Sequence, residues 1–274
     1  MRVKVPIPFY VTVQGTLNYR GDPINLRLPD ANLWIIEAGI DVGITRSFKL
    51  YLSGAGNLVQ NLLTRWGGYV DSDTETHLRK SHPLDWLEAD AAISYFFRDP
   101  FAVVVGLRWD HFDLTIRDPG AISRGNAGPY SNTRILASDV LSNLWIPYLG
   151  IEFARENFRL RLFGSSIGWA HVNVRTRLKG DIAPSHDFLA QSVITMTNSP
   201  YFVEAKIEYE VSLAKSTNIN FWGKGGWLGS KGGGRLESAF SSTDSGLTLG
   251  ILDDRNVAYD RYSLSGGIAV KTAF

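Results

Sequence analysis

From Tyr201 to Leu213 the chain alternates strictly. Tyr201, Val203, Ala205, Ile207, Tyr209, Val211 and Leu213 fall on one side, with Glu204, Lys206, Glu208 and Glu210 on the other. Successive side chains of a β-strand point to opposite faces, so this spacing predicts a strand with one apolar and one heavily charged face. The same period returns along the chain. Phe9–Tyr19, Trp34–Ile44, Phe48–Leu58, Leu87–Phe97, Phe101–Trp109, Trp145–Phe153, Phe158–Val174, Ile219–Trp227 and Tyr262–Phe274 each carry apolar residues at alternate positions. Ten strands are expected, and the fold class is all-β and antiparallel.

The connections decide between architectures. Those near 45–46, 98–100, 155–157 and 214–217 are short, and those near 21–32, 60–84, 115–138, 179–190 and 229–257 are long and polar. Short and long alternate without exception. Outer-membrane barrels have this asymmetry, with short periplasmic turns and long outer loops, whereas a soluble sandwich has no reason to sort its connections. Nor would a sandwich crowd the charges of Glu204–Glu210 onto a face that becomes core. The expectation is one domain, residues 1–274: a transmembrane antiparallel β-barrel with ten strands, short periplasmic turns, five long outer loops and periplasmic termini.

Composition agrees. Mean hydropathy is −0.07, and no run of about 18 apolar residues is present for a membrane helix. Alternating barrel strands pass that filter because their average looks ordinary. Lys plus Arg number 28 and Asp plus Glu 27, a net charge of +1 with no basic footprint for nucleic acid. The chain has no Cys, which excludes disulfides, thiolate metal sites and a cysteine nucleophile. It has no metal-ligand cluster, nucleotide loop or Gly-x-Ser-x-Gly motif either, so no cofactor or metal is expected. Phe9, Tyr19, Trp34, Phe97, Phe101, Trp109, Tyr201, Trp227 and Tyr262 fall at strand ends, the level that amphipathic rings favour at a membrane interface. Met1-Arg2-Val3-Lys4 runs almost directly into the first strand, as in a mature chain whose export signal has been removed. The expected location is the outer membrane of a Gram-negative-type envelope. A closed barrel has no edge demanding a partner, so a monomer surrounded by outer-membrane lipid is expected.

Ten strands enclose a narrow lumen, close to the size that side chains fill. The inward set mixes signs: Glu37, Asp41, Lys49, Glu88, Asp90, Arg108, Asp110, Arg159, Arg161, Glu204, Lys206, Glu208, Glu210, Lys224 and Lys271. Unpaired buried charge is very costly, so these residues are expected to form a salt-bridged plug rather than an ion path. Arg159 and Arg161 are the nearest partners for the Glu204–Glu210 row.

One outer loop holds Val70-Asp71-Ser72-Asp73-Thr74-Glu75-Thr76-His77. If extended, it places Asp71, Asp73, Glu75 and His77 on one face. Paired carboxylates can share a proton or position a water, with a His as general base. A solvated polar loop is the bland alternative.

At these residues the chain resembles the omptins, outer-membrane surface endopeptidases. The resemblance rests on ten strands with five long outer loops, on Asp71-Ser72-Asp73 after strand three, and on three short tracts. These are His82-Pro83, Ile146-Pro147-Tyr148-Leu149-Gly150 and Gly168-Trp169. Phe274 ends an alternating segment that resembles the C-terminal signal of outer-membrane proteins.

The resemblance implies an Asp pair facing an Asp-His pair across a cleft and activating water, with lipopolysaccharide as a lipid partner. Asp71 and Asp73 carry over. The Asp-x-His does not: its place falls near Thr176-Arg177-Leu178. His171, read as inward-facing, and His186 in the next loop are the candidate bases, and neither has an Asp two residues before it. Strand five, with Arg108-Trp109-Asp110-His111, does not match the omptin lipopolysaccharide residues. The first reading is therefore a surface binding or structural barrel with a degenerate protease site, its loops open to a peptide or protein ligand. The alternatives are an active endopeptidase using Asp71, Asp73 and His171 or His186, and a small pore.

Overall fold

The computed structural model describes residues 2–14, 25–31, 35–57, 61–67, 77–122, 133–183, 186–197, 199–214, 217–242 and 248–272. Asp71 and Asp73 lie outside the described residues. All regular structure is β: β1 (Arg2–Gln14), β2 (Asn25–Ala31), β3 (Ile35–Gly43), β4 (Phe48–Asn57), β5 (Asn61–Gly67), β6 (His77–Arg98), β7 (Phe101–Ile122), β8 (Thr133–Arg155), β9 (Phe158–Ser165), β10 (Trp169–Ala183), β11 (His186–Met196), β12 (Pro200–Ala214), β13 (Thr217–Ser242) and β14 (Thr248–Thr272).

Every pairing is antiparallel, and the pairings return to their start. β13 pairs β12, then come β9, β8, β7, β6, β4, β3, β1 and β14, and β14 pairs β13. The remaining four segments prolong members of this ring. β2 pairs β1 above β3, β5 pairs β6 above β4, β10 pairs β8 above β9, and β11 pairs β13 above β12. Among the described residues, fourteen segments thus fill ten positions. Arg2 and Thr272 lie at the end of the short turns, since Thr272 pairs with Thr217 and Arg2 with Ala269.

The long connections expected from sequence are corrected. Residues 77–84, 115–122, 133–138, 179–183, 186–190, 229–242 and 248–257 are paired strand. β7, β8, β13 and β14 run for 22 to 26 residues, about twice the 9–11 that cross a bilayer. The connections at 184–185 and 243–247 span few residues.

Polarity within this sheet has two regimes. On the lower part of β7, Phe101, Val103, Val105 and Leu107 point outward and are 40–55% exposed, while Arg108 and Asp110 point inward and are buried. Past Trp109 the faces exchange character. Phe112 and Leu114 are buried inside, and His111, Asp113 and Thr115 take the outer face. β8 repeats the change, with Glu152 buried inside its lower part and Val140 and Leu144 fully buried inside its upper part. Outside, Leu149 and Ile151 give way to Asn143 and Asp139.

Candidate functional site

The lower interior is built from charge. Arg108 donates through both terminal nitrogens to Glu204, at 2.7 and 3.0 Å, and bridges to Asp90 at 2.9 Å. Lys224 sits between Glu204 at 3.0 Å and Glu88 at 2.9 Å. Toward the short turns a second group surrounds Glu152, which takes Arg159 at 3.1 Å, Arg161 at 3.5 Å, the Ser94 hydroxyl at 3.0 Å and the Tyr51 hydroxyl at 3.3 Å. Glu208 binds Lys206, Arg159 and Arg161 at 3.0, 3.3 and 3.7 Å. Nearer the upper end, Arg261 Nη1 donates to Asp110 at 2.7 Å and the Trp86 indole donates to the same carboxylate at 3.0 Å.

The expected pairing of the Glu204–Glu210 row with Arg159 and Arg161 is found at Glu208. Its register explains why: β12 runs antiparallel to β9 with Glu208 opposite Arg159 and Lys206 opposite Arg161. Rings complete the packing, with the Arg108 guanidinium 4.5 Å from the Phe202 ring centre and Arg161 4.4 Å from that of Tyr51. Each ion has partners of opposite sign or hydroxyl donors, the condition under which buried charge is tolerable. Below the second group a polar cavity of about 450 Å³ opens between Arg46, Lys49, Asp99, Glu156, Glu208 and Glu210 at the short-turn end.

The outer wall carries a second organised feature. Trp109, Trp145 and Trp169 stand in one ladder row across β7, β8 and β10. Trp145 is 47% and Trp169 69% exposed. Two residues farther up, His111, Asn143 and His171 form the next row, with His111 Nδ1 2.7 Å from the Asn143 amide oxygen. Then come Asp113, opposite Asp85 on β6, and Asp139, opposite Arg175 on β10. Partial burial, with Asp85 and Asp139 close by, raises the Asp113 carboxyl above its ordinary range.

His171 is therefore corrected in one respect: it lies on the outer face, exposed between buried Ala170 and Val172. The sequence count carried the β9 alternation straight through residues 166–168. The chain instead breaks there, and Gly168, with a φ of +147°, takes a conformation that L side chains rarely adopt. Odd residues point inward on β9 (Phe163) and outward on β10 (Trp169). A slip of one residue exchanges the faces of everything beyond it. His186 begins β11 with its backbone opposite Ala183. Among the described residues, no group of three His, Asp or Glu is arranged to hold a metal ion.

The His111–Asn143–His171 row was missed from sequence because it needs the register of three strands. Its one signal was a Trp two residues from the relevant position in each: Trp109, Trp145 and Trp169.

No family model matches the sequence, and no curated protein matches it. Solved structures do. The chain is similar to the outer membrane protease OmpT from Escherichia coli, with a TM-score of 0.61 at 13% identity, covering 99% of this chain and 95% of that one. Two others align far more loosely. The translocator domain of the autotransporter NalP from Neisseria meningitidis gives a TM-score of 0.36 at 9% identity, covering 100% and 88%. A Pseudomonas aeruginosa FadL homologue gives 0.34 at 8%, covering 99% and 88%. At such identity the likeness is one of fold: the chain has a β-barrel architecture of the outer-membrane type, shared with OmpT over nearly the whole length of both.

Proposed function

We propose that the chain is an integral outer-membrane β-barrel of omptin-like architecture that works as a surface binding or structural barrel rather than as a protease. The observation that carries the reading is the exchange of polarity at the Trp109–Trp145–Trp169 row. Below it, apolar side chains face outward, and paired ions together with rings such as Tyr148, Phe163 and Phe202 fill the inside. Above it, apolar side chains fill the inside and His, Asp and Arg face outward. A wall with lipid outside needs the first arrangement and a wall with water outside needs the second. The lower belt on β7, Phe101 to Trp109, is nine residues long, which suits the 9–11 residues of a tilted membrane strand. In this reading the short turns and both termini are periplasmic and the long upper strands project from the cell. Outer-membrane lipid, including lipopolysaccharide, surrounds the belt, and a peptide or protein ligand meets the upper end.

The outward orientation of His171 supports a non-catalytic role, since a general base must reach the proton it abstracts. Likeness to OmpT and the retained Asp71 and Asp73 favour the second reading, a surface endopeptidase. The assay is refolded protein with peptides containing basic residues, with and without lipopolysaccharide, beside D71N, D73N, H171A and H186A. No cleavage is expected. Cleavage by the parent that disappears in D73N and in one His variant overturns the proposal and names the base. The ion-filled interior counts against a pore, and planar-bilayer recordings are expected to give little current.

A further inference from the structure

We infer that the upper end takes up an extended peptide, which enters the wall between β2 and β5 and pairs along β5 as an added strand. The inference rests on the proposed binding role and gives its ligand a class and a place. In the lower part the β3–β4 ladder closes the wall here, from Gly43 opposite Lys49 to Ile35 opposite Asn57. Above that ladder, β2 stands over β3 and β5 over β4. β2 pairs β1, and β5 pairs β6. The two approach one another with Cα atoms within 8 Å, yet among the described residues they share no ladder. Every other pair of strands that stand side by side among the described residues is joined by one. The wall therefore has a slit seven residues tall, the length of each bordering strand.

Backbone borders the slit, and backbone selects the occupant. Alternate residues of an antiparallel strand turn N–H and C=O toward each side, so β5 spends one set on β6 and turns the other to the slit. β5 has no Pro, and its ladder to β6 runs from Asn61 to Gly67 without a shift, so that second row is complete. β2 is blunted. It carries Pro29, which has no N–H, and its register against β1 shifts between Phe9 and Val11, two devices that disable an edge. A row of donors and acceptors at strand spacing is matched by another extended backbone, not by a lipid chain or a single ion. A second folded copy does not fit either: its strands are held in a ring, and these two edges face each other rather than outward. A free segment of chain can enter. β2 and β5 run antiparallel to one another, so a strand antiparallel to β5 lies parallel to β2, the weaker pairing. Seating it parts the two edges to about 9.6 Å, twice the ladder spacing, and breaks no existing ladder.

The test is amide hydrogen exchange of the full chain in lipid nanodiscs, read by mass spectrometry. The probe is a synthetic peptide with the sequence of residues 77–82, which already pairs with β5 on its other side. Without peptide, the slit-facing amides of 61–67 are expected to exchange fast. At about ten times the peptide's Kd they should slow about tenfold, because only the free fraction exchanges. Two N-methylated versions of the peptide, one at its odd and one at its even positions, sharpen the reading. One set blocks the ladder to β5 and should abolish the protection, and the other faces blunted β2 and should leave it. Slow exchange of all β5 amides without peptide, no protection of β5 up to about 1 mM peptide, or protection that survives both N-methylated sets overturns the inference and leaves the barrel reading standing. Fast exchange through 101–109, the proposed belt, overturns the membrane placement instead.

Discussion

Below and above the row of three tryptophans, the same strands solve opposite problems. The lower part hides Arg108, Glu152, Glu204 and Lys224 and displays Val105, Leu149 and Ile207. The upper part hides Phe112, Val140, Leu144 and Val172 and displays His111, Asp113 and His171. The β6–β7, β7–β8 and β13–β14 ladders run without a shift through the boundary. On the proposed membrane placement, what differs is the solvent. The core is simply the side away from the surrounding medium, and β7 changes its core chemistry within two residues, from Asp110 to Phe112.

The comparison is most severely tested inside the lower part. Glu204 is 3% exposed and joins Arg108 and Lys224. Removing one partner of a buried ion pair costs about 3–5 kcal/mol. E204A should lose that much in urea titrations of the folded state in lipid vesicles. A near-neutral result would mean the ions are hydrated, and the plug would be a water-filled space.

On the outer wall, V105R should cost about 2–4 kcal/mol, the penalty for arginine near a bilayer midplane. T115R, ten residues farther along the same outward face, should stay within about 0.5 kcal/mol, as surface substitutions do. Equal costs for the two would erase the boundary. Between the regimes, G168A drives a Cβ against the Trp145 carbonyl oxygen at a φ of +147°. Such strain costs about 1–3 kcal/mol, and chemical denaturation would read it. A cost near zero would mean that the break at 166–168 tolerates an ordinary residue.

The smallest effect concerns pH. Because the folded state raises the Asp113 carboxyl, it favours the protonated form. Its contribution to stability is fully present below the ordinary value of 3.8 and is lost as pH rises through the folded value. D113N should therefore be slightly more stable than the parent at neutral pH and indistinguishable from it in acid. The opposite sign would mean that the neighbouring His111 outweighs burial at Asp113.

Most of the lower part was legible in the sequence because apolar residues outside and ions inside produce a clean alternation. Tyr201–Leu213 and Phe101–Trp109 needed nothing but a period of two. The upper strands were read as loops for a physical reason. On β7 the apolar residues sit at odd positions through Trp109 and at even positions from Phe112 to Ile116. A change of solvent therefore looks like the end of the pattern. His171 was misplaced by a different cause, a slip whose geometry depends on Gly168. Of the candidate site, Asp71 and Asp73 lie outside the described residues, and His186 is placed by its backbone alone.

The ion groups inside the wall also carry a consequence for how the chain reaches its final form. Arg108 and Glu204 are 96 residues apart, Lys224 and Glu88 136, and Arg261 and Asp110 151. None of these pairs can form within a hairpin. A half-assembled sheet gives Arg108 its Asp90 partner across the β6–β7 hairpin, but leaves these three long-range pairs unmade until the last strands meet. Closure is expected to be the slow step, as when contacts join distant parts of a chain. Kinetically, the plug acts as a latch that engages only when the circle of strands is complete.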